Sequence, residues 1–248
     1  MNGLSNSLQV VILVGGLGTR LKPLTETVPK PMVPILNQPF LYYQLGYLKR
    51  QNLKNILLLT GYRGQSIQKF FLDGSSLGLK ITYSQEDQPL GTGGALLAAK
   101  SLLENQFLLV NGDSFLPFDY QEFIGHFLRS DKIGQLSVLS QEYNFTGVKT
   151  NVALDEASGL VSVYRKSQQG FPLSYVDAGV AAFEKKIFSF FPQDKKNFSL
   201  EEEIYPLLIA KKSLLAYKIS ERFYDIGTPE RLKEFKEYIQ HDYLKNAI

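Results

Sequence analysis

The chain is 248 residues long, enough to bury one sizeable α/β core, and its 27 basic side chains nearly balance 24 acidic ones. That balance leaves no electrostatic footprint for nucleic acid or a charged membrane surface. With no cysteine at all, disulfides, thiolate metal sites and a cysteine nucleophile are excluded, and a cytoplasmic location is compatible with the composition.

The first eight residues lack a charged segment followed by a long apolar core, so no signal peptide is expected, and no apolar run is long enough to span a bilayer. Gln9-Val10-Val11-Ile12 is a β-branched run that reads as a buried strand. Where the chain leaves it, Leu13-Val14-Gly15-Gly16-Leu17-Gly18-Thr19-Arg20-Leu21 sets three glycines close together. Glycine there lets backbone N–H groups approach a ligand with no Cβ in the way. Successive N–H groups form a concave anion site, and the Arg20 guanidinium adds a planar donor for phosphate oxygens. Such a loop suits a polyphosphate. A Walker loop would need Lys-Ser or Lys-Thr here, and the dinucleotide fingerprint would need a third glycine where Leu21 stands. Pro29-Lys30-Pro31-Met32 follows instead.

A helix is expected over 39–51, with Asn37 as its cap, Pro39 just inside, and Phe40, Tyr43 and Tyr47 as a core-facing aromatic stripe. A buried strand over 55–60, a helix over 65–72, a short strand over 80–84, a helix over 92–103 and a buried strand over 107–110 come next. This alternation makes an α/β fold with a doubly wound, mostly parallel sheet, whose ligands sit in the crevice beyond the strands' carboxyl ends. Past about residue 136 short alternating strands take over, at 135–140, 150–154, 160–164 and 175–183. A helix over 200–210 capped by Ser199, a strand near 214–219, and a helix over 228–241 capped by Thr228 with Pro229 at its first position close the chain. One domain is therefore expected, with parts 1–134 and 135–248. His126 and His241 fall in polar helical contexts with no catalytic role.

The second anchor is Asn111-Gly112-Asp113-Ser114, directly after a buried strand. A carboxylate there would repel a polyphosphate unless a cation lay between them. Mg²⁺ fits, because it takes hard oxygens from one or two carboxylates plus phosphates and waters. Asp225, in Phe223-Tyr224-Asp225-Ile226-Gly227-Thr228-Pro229, is the best second carboxylate. The third anchor is Gln85-Glu86-Asp87-Gln88-Pro89-Leu90-Gly91-Thr92-Gly93-Gly94-Ala95, whose glycines are expected to bring backbone close to a ligand at a helix N-terminus.

The glycine loop with Thr19-Arg20-Leu21, followed by Pro29-Lys30-Pro31, resembles the signature of the sugar-1-phosphate nucleotidyltransferases. With Pro-Leu-Gly-Thr-Gly-Gly-Ala at 89–95, it is most similar to the D-glycero-D-manno-heptose 1-phosphate and mannose-1-phosphate guanylyltransferases. The resemblance runs from Gly15 to Pro229, in the family's order. It implies a Rossmann-like nucleotidyltransferase fold and the reaction of a sugar 1-phosphate with an NTP to give an NDP-sugar and pyrophosphate. Nucleotide contacts are then expected from Leu13, Gly15, Gly16, Gly18, Thr19, Arg20, Lys30, Glu86, Gly91, Thr92 and Gly112. Arg20 and Lys30 would act on the triphosphate, with Asp113 and Asp225 as the metal-binding, catalytic aspartates. Asn111, Lys166, Asp177 and Gly179 would hold the sugar phosphate in the smaller, mixed sugar-binding part. Arg165 departs from the acidic residue usual before that lysine. Glu86 presents a carboxylate where guanine offers adjacent N1–H and N2–H₂ donors, a preference worth ~1–3 kcal/mol if bidentate. Ser199-Leu200-Glu201 resembles the family's helix start, but acids in a first turn also suit the helix dipole, and Glu201 is not assigned to the chemistry. A thymidylyl-, uridylyl- or cytidylyltransferase on another hexose 1-phosphate, and a non-catalytic sugar-nucleotide-binding regulator, stand as alternatives. No hexapeptide repeat marks a β-helical second half. Neither the sugar nor a homo-oligomeric state is fixed by these residues.

Overall fold

The computed structural model describes residues 8–143, 146–165 and 173–243. Nine strands form one sheet: β1 (Gln9–Val14), β2 (Asn55–Thr60), β3 (Lys80–Gln85), β4 (Gln106–Asn111), β5 (Gly134–Ser140), β6 (Val152–Asp155), β7 (Leu160–Tyr164), β8 (Tyr175–Glu184) and β9 (Leu214–Ile219). Their spatial order is β3-β2-β1-β4-β8-β5-β9-β7-β6. The first four run parallel, and β1, β2 and β4 carry the continuous apolar runs of strands covered on both faces, while β3 is a more polar edge strand. From β8 onward the sheet is mixed: β8 is antiparallel to both β4 and β5, while β9 runs parallel to β5.

Period-2 alternation sends Val10, Ile12, Ile56, Leu58, Leu108 and Val110 to one face and Val11, Leu57, Leu59, Phe107 and Leu109 to the other. The first face is covered by α1 (Phe40–Arg50), α2 (Gly64–Phe71) and α4 (Tyr120–Leu128), through Leu41, Leu45, Ile67, Phe71 and Phe123. The second is covered by α3 (Gly91–Ala98) and α5 (Tyr205–Ala210), through Leu96 and Leu208. The crossovers thus switch faces when the chain returns from β3 to β4 on the far side of β1. That reversal opens a crevice at the carboxyl ends of β1 and β4.

A third apolar cluster joins the C-terminal helix α6 (Pro229–Tyr238) to Leu21, Val33, Ile35, Phe40, Tyr43 and Phe115. Phe235 is its centre, with ring centroids 4.9 Å from Phe40 and 5.3 Å from Phe115. The aromatic stripe of α1 is therefore core packing, as its spacing predicts. Asn37 is not the cap of α1. Gln38–Pro39 pairs with Pro34–Ile35 around a turn in which Leu36 takes φ 52°, and Pro39 occupies the N-cap position with no side-chain hydrogen bond. The helix expected to reach residue 103 ends at Ala98 and passes into a 3-10 turn, Lys100–Leu102. The one expected over 200–210 begins as a π-turn, Leu200–Ile204, whose Ser199 hydroxyl accepts from the Glu202 N–H. Thr228 caps α6 as its sequence predicts, accepting from the Arg231 N–H.

Candidate active site

The glycine loop leaves β1 at Val14 and turns across the crevice. Gly18 sits at φ +64°, where a side chain is strained, and a Cβ on it would lie 3.0 Å from the Lys30 Cβ and the Thr25 Cγ2. The Thr25 hydroxyl closes the turn by donating to the Gly18 carbonyl at 2.8 Å. Gly16 faces open space, and Arg20 is exposed on a single turn (Thr19–Leu21) anchored by buried Leu21. The loop therefore presents backbone and a guanidinium to the crevice while its base is packed.

Gly112 follows β4 so closely against β1 that its N–H donates to the Leu13 carbonyl at 3.0 Å, and a Cβ would fall 2.4 Å from that oxygen. The next residue, Asp113, receives the buried Lys30 ammonium at 2.5 Å on Oδ2 and the Ser114 hydroxyl at 3.2 Å on Oδ1. Burial opposes a charge on Asp113. The Lys30 ammonium, the Ser114 hydrogen bond and the nearby Arg20 guanidinium outweigh it and hold the carboxyl below its usual range. From α1, the buried Gln44 side chain donates through Nε2 to the carbonyls of Asn111 at 2.9 Å and Ser114 at 2.6 Å. One amide thus staples both ends of the Asn-Gly-Asp-Ser turn. Only a polar residue on an apolar helix face hinted at it in the sequence.

Asp225 reaches Asp113 through a small ribbon. Ser114–Phe115 pairs antiparallel with Tyr224–Asp225, and the Ile226 N–H donates to the Asp113 carbonyl at 3.0 Å. The two aspartates are thus neighbours across that ribbon. Asp225 Oδ1 accepts from the Gly227 N–H at 2.7 Å, and Arg231 Nη1 lies 2.9 and 2.7 Å from Oδ1 and Oδ2. With that cover the Asp225 side chain is 11% exposed and is not among the residues lining the main cleft.

That cleft has a volume of about 650 Å³. Its walls bring together Leu13, Gly15, Gly16, Gly18, Thr19, Arg20, Lys30, Glu86, Gly91, Thr92, Asn111, Gly112 and Asp113, residues from five separate elements and their loops. Glu86 enters from the end of β3. Its Oε2 accepts from the Leu90 N–H at 3.2 Å. Its Oε1 lies against Gly15 and Gly61, where a Cβ would come within 2.9 and 2.6 Å. Glu86 is thus both a brace for the 86–90 loop and a carboxylate at the cleft wall, and burial raises its pKa against the Leu90 hydrogen bond.

The glycines at 91–94 have a different reason from the one expected. Gly93 and Gly94 donate to the Phe198 carbonyl at 3.0 and 3.3 Å. A Cβ at 91, 93 or 94 would strike Phe198 or Lys196 at 2.1–2.5 Å. They make room for the 196–198 segment, and the Gly93 and Gly94 amides are spent on it. Gly91 and Thr92 still face the cleft.

Asp177 and Gly179 line a small adjoining recess that shares Leu13, Asn111 and Glu201 with the cleft. A register shift in β8 after Asp177 bends the strand there, and Gly179, at φ +82°, lets the Asn111 amide and Ser114 approach. Asp177 Oδ1 accepts from the Gly179 N–H and Oδ2 from the Tyr164 hydroxyl, each at 2.9 Å. Burial pushes its carboxyl up to about 6, against both hydrogen bonds and with help from the Glu201 charge. Glu201 itself stands at the meeting point of cleft and recess, accepting from the hydroxyls of Thr92 at 2.7 Å and Ser199 at 2.6 Å. Its place in a first turn explains it in the sequence as a helix-dipole acid. The π-turn that carries it is what aims it inward. Lys166 lies outside the described residues. His126 is remote from the cleft walls, with Nδ1 2.5 Å from Gln135 Oε1.

The pattern of the family described as "Nucleotidyl transferase" matches residues 9–242. A D-glycero-alpha-D-manno-heptose 1-phosphate guanylyltransferase of Campylobacter jejuni is 36% identical over 92% of this chain and 98% of its own. A mannose-1-phosphate guanylyltransferase of Mycobacterium tuberculosis is 34% identical over 91% of this chain and 63% of its own. Among solved structures, HddC from Yersinia pseudotuberculosis, complexed with GMP-PN, superposes with a TM-score of 0.75 at 33% identity, covering 94% of this chain and 99% of its own.

Proposed function

Because the chain belongs to the nucleotidyl transferase family, we propose that it transfers a guanylyl group from GTP to D-glycero-D-manno-heptose 1-phosphate, releasing pyrophosphate. The observation that carries this reading is the single cleft in which the glycine loop, Arg20, the Lys30–Asp113 pair and Glu86 converge. The relatives of matching length support the heptose. The mannose-1-phosphate guanylyltransferases support a second reading with the same chemistry on a hexose phosphate.

The nucleophile is a phosphate oxygen of the sugar phosphate, already an anion, so no side chain has to remove a proton. It forms a bond to the α-phosphorus of GTP while the bond to the bridging α–β oxygen breaks, and pyrophosphate leaves with that electron pair. The protein's work is positioning and charge stabilisation. Glycine-loop amides and Arg20 receive the β- and γ-phosphates. Lys30, oriented by Asp113, faces the α-phosphate, where charge builds. Glu86 accepts the guanine N1–H and N2–H₂. Asn111, Asp177, Gly179 and Lys166 receive the sugar phosphate.

Asp113, just before the ribbon strand that Asp225 pairs with, and Asp225 itself offer hard oxygens, a donor set that fits Mg²⁺ completed by phosphate oxygens and water. When bound, the cation would offset repulsion between the two anionic substrates. Among the described residues no group of three or more acidic, His or Cys side chains is placed to hold a metal. The assignment therefore rests on two carboxylates and the substrate. No helix among those residues is long and apolar enough to cross a membrane. Consumption of GTP supports a cytoplasmic site of action, and the product would be an activated sugar for polysaccharide assembly.

The test is pyrophosphate release with Mg²⁺, crossing GTP, ATP, UTP, CTP and dTTP against heptose, mannose and glucose 1-phosphates. GTP with heptose 1-phosphate should give the highest kcat/KM. Release with another pair would overturn the specificity and keep the reaction. No release with any pair would favour a sugar-nucleotide-binding regulator.

A further inference from the structure

Both carboxylates assigned to the metal are already matched by basic groups of this chain, and the two matches differ. Lys30 meets Asp113 inside the cleft. Arg231, from the first turn of α6, reaches both oxygens of Asp225 and leaves that carboxylate shut off from the cleft wall. A Cβ on Gly227 would lie 2.6 Å from Asp225 Oδ1, 3.5 Å from Arg231 Nη1 and 3.7 Å from Arg20 Nη2. The Asp225 carboxylate and the two guanidinium groups therefore crowd one spot on the ribbon, and glycine at 227 makes room for them.

We infer that Arg231 is an internal counter-ion that holds Asp225 away from divalent metal until a nucleoside triphosphate arrives. The inference rests on the proposed metal-assisted transfer and deepens it. Arg20, Lys30 and Arg231 against Asp113 and Asp225 carry one net positive charge. A divalent cation added alone would raise that charge and would have to displace a guanidinium from its carboxylate, leaving it without its anionic partner. A metal-bound triphosphate reverses the sign of the addition. Its phosphate oxygens also offer Arg231 anionic acceptors in place of the two Asp225 oxygens that it gives up. Metal and nucleotide therefore enter together, and the nucleotide-free protein has little affinity for metal.

The test is Mn²⁺ binding to the full chain without nucleotide, read as loss of the free-ion paramagnetic resonance signal. Arg231→Gln should bind Mn²⁺ at least tenfold more tightly than the unmodified protein, and Asp225→Asn should abolish that gain. Arg231→Lys keeps the charge but loses the reach that sets Nη1 against both Asp225 oxygens, so its affinity should fall between the two. It also keeps the comparison open if Arg231→Gln does not fold. With a non-hydrolysable GTP analogue present, the advantage of Arg231→Gln should vanish. Equal Mn²⁺ affinity for all three folded proteins, or weaker binding by the Arg231 variants, would overturn the counter-ion role. Pyrophosphate release by the unmodified protein, measured on the same preparation, separates that result from failure of the transferase reading.

Discussion

Replacing Gln44 by leucine removes the amide that holds the Asp113 turn and leaves the helix it sits on otherwise unchanged. Two hydrogen bonds are lost, to the Asn111 and Ser114 carbonyls, each with a net value of about 0.5–1.5 kcal/mol. The stranded carbonyls add a desolvation cost, but the Gln44 Oε1 is itself buried with no partner among the described residues, so removing it recovers part of that cost. The balance is a loss of roughly 2 kcal/mol. At about 2–4 °C per kcal/mol for a chain of this size, the melting temperature should fall by roughly 4–8 °C.

Function should suffer more than stability suggests, because the released turn carries Asn111, Gly112 and Asp113 into the cleft. Scanning fluorimetry and pyrophosphate release, run together, should show a fall in kcat with a smaller change in the KM for GTP. Gln44→Glu should be worse than Gln44→Leu at neutral pH, since it points a carboxylate at two carbonyl oxygens. It should recover in part as acid restores a single O–H donor. A Gln44→Leu protein with unchanged melting temperature and unchanged kcat would refute the staple.

Losing a cation that faces the phosphates should be more costly still. Lys30→Met should lower kcat/KM by roughly 10²–10³, or about 2.7–4 kcal/mol of transition-state stabilisation, by analogy with other preorganised donors. A loss below fivefold in a folded variant would remove Lys30 from the chemistry. Glu86→Gln should erode the preference for GTP over UTP, measured as the ratio of kcat/KM values, and an unchanged ratio would reduce Glu86 to the brace for Leu90. Asp177 titrates near 6 in the folded protein, above its ordinary value of 3.8. The native state therefore binds more protons than the unfolded one between these values, and this group's contribution to stability is lost as pH rises through about 6. Asp177→Asn should then be more stabilising relative to the unmodified protein at pH 7.5 than at pH 4, by denaturant midpoint. A constant difference across that range would contradict the assignment.

The strands nearest the cleft were legible because both of their faces are buried. Val10-Val11-Ile12 and Leu57-Leu58-Leu59 are unbroken apolar runs, the pattern of a strand covered on both faces. The glycine loop was legible for the opposite reason, since its residues suit no packed element. What the sequence hid was contact between distant segments. Nothing local to Tyr224-Asp225 announces that it pairs with Ser114–Phe115. Gly93 and Gly94 look identical in sequence whether they admit a ligand or, as here, residues 196–198. Glu201 had a sufficient local explanation in its helix dipole, which concealed its inward aim. Arg231, on an amphipathic surface helix, reads as solvated until Asp225 is placed beneath it.

The seam between β4 and β8 has a mechanical consequence. Five residue pairs in unbroken register cross it, and both major apolar clusters continue beneath it from the first half of the chain into the second. A hinge needs a line along which little has to be broken, and this line carries as many paired residues as either seam of β1. The two substrates therefore bind to a single stiff plate instead of being brought together by jaws. Any closing movement is left to the glycine loop and the surface turns, and a cut between residues 134 and 135 would part the chain without freeing two halves able to stand alone.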